Sequence, residues 1–287
     1  MTYKISQNYL RKTNKLNASA LMDAGEGRSI SGKDAVQNIR PFPERRFFNN
    51  KVLASLPQHV LDKISRYLKP VFLRRDEYIY QPDDQFDSVY FPESAVFSGY
   101  QMLNDGRTIE IALTGSESAI GIQSVFSRCR AMDWTQVCTA GTALKIDSEV
   151  FRAVAALESP VKALLNDQIN SYIRQISNKV ICNTHHSVEE RLCTWLLMLE
   201  DRCGTASLKL TQEQIARVLG VFRPSVTCIA QNLRERGLID YVRGRITLRD
   251  RKELIKAACS CYSEFRIPCA GRTAVPAFSG QTRPNVI

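Results

Sequence analysis

No apolar run in the 287 residues reaches the roughly 18 that a bilayer span requires, so a membrane partner is not expected. Histidine is scarce, with three residues at His59, His185 and His186, and tryptophan scarcer still, at Trp134 and Trp195. There is no Walker-type loop and no nucleophile–base pair in a spacing that suggests chemistry, which argues against an enzyme. Cysteine is missing from the first 128 residues. The nine present stand at 129, 138, 182, 193, 203, 228, 259, 261 and 269, an odd number in a long chain and not a disulfide framework. Zinc and iron–sulfur sites usually show two closely paired thiols, whereas only Cys259-Ser260-Cys261 is tight here. The sequence therefore predicts no metal and no cofactor, with most thiols acting as small buried hydrophobes. A redox or metal role for a subset is the alternative, and Cys129, Cys138 and Cys228 are the thiols to test. The N-terminal stretch is basic but lacks a continuous hydrophobic segment, so a cytoplasmic protein without a signal peptide is expected.

What is abundant is positive charge, unevenly placed. Lys and Arg number 39 against 29 Asp and Glu, a net charge of +10. Residues 51–160 carry 11 basic and 14 acidic groups, whereas residues 204–256 carry 11 and five. A mildly acidic middle followed by a compact basic segment suggests that one domain meets a polyanion while another does something else. With 44% hydrophobic residues the chain can bury a sizeable core.

Residues 1–45 are rich in Asn, Ser, Lys and Gly and read as a flexible arm, with a short helix near Leu10–Met22. From residue 46 to 156 a short helix after Pro57 gives way to period-two strands around Val71, Tyr78–Tyr80, Val89–Phe91, Val96, Ile109–Leu113, Val137 and Leu144–Ile146. Turn signals separate them, Asn104-Asp105-Gly106 among the best, and the pattern predicts a jelly-roll sandwich or small barrel. Helical period returns from Ser148. Over 157–182, Val161, Leu165, Ile169, Tyr172, Ile176 and Val180 form a narrow apolar seam after Pro160. Its length and position favour a coiled-coil contact with a second copy, and packing against its own sheet is the alternative.

Residues 183–262 carry the most specific pattern. Thr211-Gln-Glu-Gln214 is a capping box opening a helix over Gln212–Leu219, and Gly220 supplies a left-handed stop. A second helix opens at Arg223-Pro224 and runs to Arg236. A tight turn between two short helices is the helix-turn-helix pattern, whose second helix enters the major groove of double-stranded DNA. Arg223, Ser225, Thr227, Cys228 and Gln231 face outward from it, and Arg suits guanine as Gln suits adenine. A hairpin follows with Arg243 and Arg245 at its tip, a wing for phosphates, and a helix from Arg251 to about Cys259 closes the segment. The predicted DNA-contacting set is Lys209, Gln212, Arg223, Ser225, Thr227, Gln231, Arg243 and Arg245. Residues 263–287 read as a disordered tail.

Three stretches together resemble the Crp/Fnr family of bacterial transcription regulators: Asp87-Ser-Val-Tyr-Phe-Pro-Glu-Ser, Asp105-Gly-Arg-Thr-Ile-Glu, and Leu210 through Thr227. The resemblance runs from about residue 50 to 262. It implies an α+β fold: an N-terminal double-stranded β-helix of the cyclic-nucleotide-binding type, a long dimerisation helix and a C-terminal winged helix-turn-helix. It also implies a homodimer regulating transcription, with RNA polymerase a further partner and the effector open. Members that bind cyclic AMP use a Gly-Glu pair for the ribose and an Arg for the cyclic phosphate. Here Gly121 is followed by Ile122, and Ala131–Thr135 offers no Arg in register, with Arg128 and Arg130 offset towards a surface role. In the recognition helix Pro224 and Cys228 replace residues often found in the family, so no operator consensus carries over.

Overall fold

The computed structural model describes residues 48–265, so the expected arm, its helix near Leu10–Met22 and all but the start of the expected tail lie outside the described residues. Asn50, fully buried, caps helix α1 (Lys51–Ala54) by accepting from the Val52 and Leu53 N–H groups at 3.1 Å. Its amide donates to the carbonyls of Pro92 and Ser118, at 3.0 and 2.9 Å, so the buried polar group is satisfied. Helix α2 (Gln58–Ile64) follows Pro57 and buries Val60 and Ile64.

Seven strands then form the roll: β1 (Lys69–Leu73), β2 (Tyr78–Tyr80), β3 (Ser88–Pro92), β4 (Val96–Met102), β5 (Thr108–Thr114), β6 (Trp134–Thr139) and β7 (Gly141–Asp147). They make two antiparallel sheets ordered β1-β7-β3 and β2-β6-β4-β5. Leu73, Tyr80, Tyr90, Phe97, Val137 and Ala143 from both sheets fill the space between them. Gly106, at φ 85°, makes the predicted turn between β4 and β5, where the Leu103 N–H donates to the Arg107 carbonyl at 2.7 Å. Strand β5 lies where period two places it, but its more deeply buried residues include Thr108, Glu110 and Ala112, with Ile109 and Ile111 half-buried.

Helix α3 (Ser148–Leu157), capped by Asp147, and the long helix α4 (Ser159–His185), with Pro160 in its first turn, cover one sheet. The long helix corrects part of the predicted dimer seam. Val161 and Leu165 are buried in the roll's own core beside Phe91 and Phe151, and Ile169 packs against the same cluster, leaving Val161 and Leu165 no surface for a second chain. The Tyr172 hydroxyl donates to Asp133 at 3.1 Å, and Gln175 accepts from the Leu113 N–H at 2.6 Å. Ile176 is half-buried and Val180 exposed. The physical reason is that a helical stripe records only that one face is apolar, and here the roll supplies the cover for its first half. Ile173, Val180 and Ile181 are the large apolar side chains that α4 leaves exposed.

Helix α5 (Val188–Cys203) starts at a complete capping box, Ser187 with Glu190, and ends at left-handed Gly204. Its buried run Leu192–Leu199 is the centre of the second core, shared with Val96 and Leu113 of the roll.

Candidate nucleic-acid interface

Strand β8 (Ser207–Lys209), helices α6 (Gln212–Leu219) and α7 (Arg223–Glu235), and strands β9 (Ile239–Val242) and β10 (Arg245–Leu248) build the C-terminal module. The capping box at Thr211 forms as the sequence predicts: Thr211 Oγ1 accepts from the Gln214 N–H at 3.2 Å and the Gln214 side chain accepts from the Thr211 N–H at 3.0 Å. Gly220, at φ 67°, closes α6. Ile215, Ala216 and Leu219 of α6 meet Val226, Ala230 and Leu233 of α7, so the two helices share one buried face and α7 turns its polar face outward. Helix α8 (Arg251–Ala257) follows the hairpin and ends two residues short of the predicted stop near Cys259, and a separate helix α9 (Cys261–Phe265) comes after it.

Arg223, Ser225, Thr227, Cys228 and Gln231 are all exposed on α7. Thr227 Oγ1 donates to Gln212 Oε1 at 2.8 Å, which ties the start of α6 to the middle of α7. Gln231 donates to Glu235 at 3.0 Å. Strands β9 and β10 pair antiparallel through a two-residue turn at Arg243-Gly244, both at positive φ (48° and 73°), as a primed hairpin turn requires. The turn places Arg243 at its tip. Arg245 and Lys209 stand opposite each other across β10 and β8, both exposed, with Arg245 donating to Ser207 Oγ at 3.1 Å.

The cations around this face differ in availability. Arg236 is paired with Glu189, Arg249 with Asp240, and Arg251 with Glu200 and Asp201. Among the described residues no carboxylate lies within ion-pair distance of Lys209, Arg223, Arg234, Arg243 or Arg245. Arg234, which sequence reasoning missed, lines a groove with Gln212, Thr227, Gln231 and Tyr241. The signal for it was the spacing Thr227, Gln231, Arg234, one stripe of α7.

Helix α6 is docked on the roll. Thr108 Oγ1 donates to the Arg217 carbonyl at 3.1 Å, Gln214 Nε2 donates to Asp76 at 3.0 Å, and Arg75 donates to Gln214. Arg107 sits over the exposed Phe222 ring at 5.9 Å, beside the turn between the two helices. Deeper, Glu110 joins three elements: its carboxylate accepts from Ser98 at 2.8 Å, Trp195 Nε1 at 3.1 Å and Lys179 Nζ at 3.1 Å.

Gly121 is left-handed, and Ile122, where a ribose-binding carboxylate would stand, is buried in the apolar core. Arg128 projects outward near Glu149, and Arg130 donates to the Asp83 carbonyl. Trp134 is half-buried between Tyr100, stacked at 6.2 Å, and Tyr78, edge-on at 5.5 Å. Of the three thiols singled out for redox chemistry, Cys138 is half-buried and desolvation drives its pKa up, which suppresses the reactive thiolate. Cys129 is half-buried and Cys228 exposed. His59 pairs with Glu158, and His186 lies against Cys261.

A two-sheet roll followed by a long helix and a winged helix-turn-helix defines a DNA-binding transcription regulator. The family model "Cyclic nucleotide-binding domain" matches residues 70–157 and "Crp-like helix-turn-helix domain" matches 190–257, together more than half of the chain. The chain belongs to the Crp/Fnr family of transcription regulators, whose members are not enzymes. It is 27% identical over 186 residues to the global nitrogen regulator of Synechocystis sp., covering 61% of this chain and 82% of that one. Identity to the CRP-like cAMP-activated global transcriptional regulator of Mycobacterium tuberculosis is 22% over 202 residues, 68% of this chain and 90% of that one. Among solved structures, a Crp/Fnr-family regulator from Eubacterium rectale aligns with a TM-score of 0.60 at 20% identity, covering 73% of this chain and 98% of that one. FixK2 from Bradyrhizobium japonicum aligns at 0.59 and 19%, covering 67% and 98%. Among the described residues no helix is long and apolar enough to cross a membrane.

Proposed function

We propose that the chain regulates transcription as a homodimer that places two copies of α7 in successive major grooves, about 34 Å apart, and that its roll answers a signal other than a cyclic nucleotide. Arg223, Ser225, Thr227, Gln231 and Arg234 set sequence preference. Lys209, Gln212, Arg243 and Arg245 hold the backbone, and the exposed second half of α4, with Ile173, Val180 and Ile181, forms the contact between copies. The roll also offers a surface to RNA polymerase.

One observation carries the reading of the signal. Ile122 is packed into the roll's core, and Arg128 and Arg130 are turned to the surface, which supports a roll without the carboxylate and cation that ribose and phosphate call for. A cyclic phosphate without a cation and a ribose without a carboxylate forgo the charge-assisted hydrogen bonds that make such a site tight. The test is DNA binding by the purified chain with and without millimolar cyclic AMP or cyclic GMP. Unchanged affinity is expected; a tenfold gain with either nucleotide would overturn the reading. A thiol-based signal is a second reading, favoured by the exposure of Cys228 on the recognition face. Under that reading, alkylation of Cys228 blocks DNA binding and Cys228→Ser resists the treatment.

A further inference from the structure

Four potential ligands that are scattered in sequence meet behind the DNA-binding module. Cys182 and His186 lie one helical turn apart at the end of α4, and Cys259 and Cys261 flank Ser260, Cys259 in the link after α8 and Cys261 at the first position of α9. Their ligand atoms all lie within 4.8 Å of one another, with Cys182 Sγ and Cys259 Sγ 3.6 Å apart and Cys261 Sγ and His186 Nδ1 3.6 Å apart. The three thiols are buried and the imidazole is half-buried.

We infer that Cys182, His186, Cys259 and Cys261 form a mononuclear site for Zn2+ that staples the C-terminal segment to the end of the long helix. A tetrahedral ion with Zn–S of about 2.3 Å and Zn–N of about 2.0–2.1 Å puts neighbouring ligand atoms about 3.5–3.8 Å apart; the two 3.6 Å separations fall in that range and no pair exceeds 4.8 Å, so a small inward shift closes the set. Three thiolates and one imidazole are a closed structural set, with no position left for substrate. A multi-iron cluster carries its thiolates on different iron atoms and needs them further apart than they are here.

The surroundings suit such an ion. Thr194 Oγ1 stands 3.0 Å from Cys259 Sγ, placed to donate to a metal-bound thiolate, and it accepts from the Cys259 N–H at 3.1 Å. The backbone is held from both sides: His186 caps α4 immediately before Ser187 opens α5, and Tyr262 donates to Asp201 at 2.8 Å while accepting from Arg251 at 2.7 Å. Ion uptake displaces the thiol protons, so affinity falls as pH falls. The site is independent of the DNA-binding reading above, since it contains none of the residues assigned to that face.

The test uses the full chain, purified under reducing, oxygen-free conditions, stripped with chelator and titrated with Zn2+ or Co2+ alone. The expected result is one ion per chain, a tetrahedral thiolate spectrum with Co2+, and a melting temperature that rises on reloading. His186→Gln changes a half-buried position and leaves the thiol core in place. It and Cys261→Ser are each expected to lower Zn2+ affinity by more than about a hundredfold, beyond the range lost with an outer-shell partner alone. Cys203→Ser, outside the site, is expected to bind as the unaltered chain does. The inference is overturned if the stripped, folded chain takes up no ion, or if uptake is unaffected by His186→Gln and Cys261→Ser.

Discussion

Glu110 is the acid on which the joint between roll, long helix and DNA-binding module turns. Its side chain is fully buried, that of Lys179 is 11% exposed, and Ser98 and Trp195 each give the carboxylate a hydrogen bond. Forming such a pair contributes little net stability, because desolvation offsets the attraction, but removing one charge is expensive. Glu110→Ala strips the carboxylate from Lys179 and leaves the Trp195 N–H and Ser98 hydroxyl without their acceptor. The expected loss is about 3–5 kcal/mol, a large share of the stability of a domain this size. Urea unfolding of the full chain measures it, through the midpoint at unchanged slope. The double variant Glu110→Ala/Lys179→Met also removes the buried ammonium and should recover at least about 1 kcal/mol, a coupling that a mutant cycle isolates. A single-variant loss under about 1 kcal/mol, or additive losses in the cycle, would refute the reasoning.

Other consequences can be checked independently. Thr211→Ala opens the capping box of α6 and should cost about 1 kcal/mol by urea unfolding, while Thr211→Ser should cost little. Burial raises the Asp133 pKa against the smaller opposing hydrogen bond from Tyr172. A raised folded pKa means that the native state binds more protons than the unfolded one, so Asp133 lowers stability as pH climbs from its unfolded value of about 4 through the raised one. Asp133→Asn should therefore flatten the stability–pH profile over that window and leave neutral-pH stability equal or higher; an unchanged slope would refute it. Ile173→Glu/Ile181→Glu should shift sedimentation from dimer to monomer with the circular dichroism intact. Arg243→Ala should weaken all DNA about equally and lower the salt slope by about 0.9, whereas Arg223→Ala should cost about 1–3 kcal/mol of discrimination at one base pair.

Local chemistry made the DNA-binding module legible in the sequence. A capping box, a left-handed Gly220 and an arginine-tipped hairpin each act over a few residues, so Thr211, Gly220 and Arg243 announce themselves without tertiary information. The long helix was legible as a helix but not in its partner, because Val161 and Leu165 look the same whether a roll or another chain covers them. Glu110 escaped notice because an acid alternating with Ile109 and Ile111 ordinarily faces water; its lysine lies 69 residues away and its indole 85. The thiol–imidazole cluster was hidden for the same reason. Cys182 and His186 carry helical spacing and Cys259 and Cys261 a tight pair, but only the fold brings the two halves together across 77 residues.

The most direct test of the central claim is selection of DNA from a random-sequence pool by the purified full chain at physiological salt. The account predicts enrichment of a two-fold symmetric site with half-sites one helical turn apart, about 10–10.5 base pairs, and loss of preference within each half-site for Arg223→Ala. Enrichment of a single unpaired half-site, or binding that follows salt alone with no preferred sequence, would contradict it.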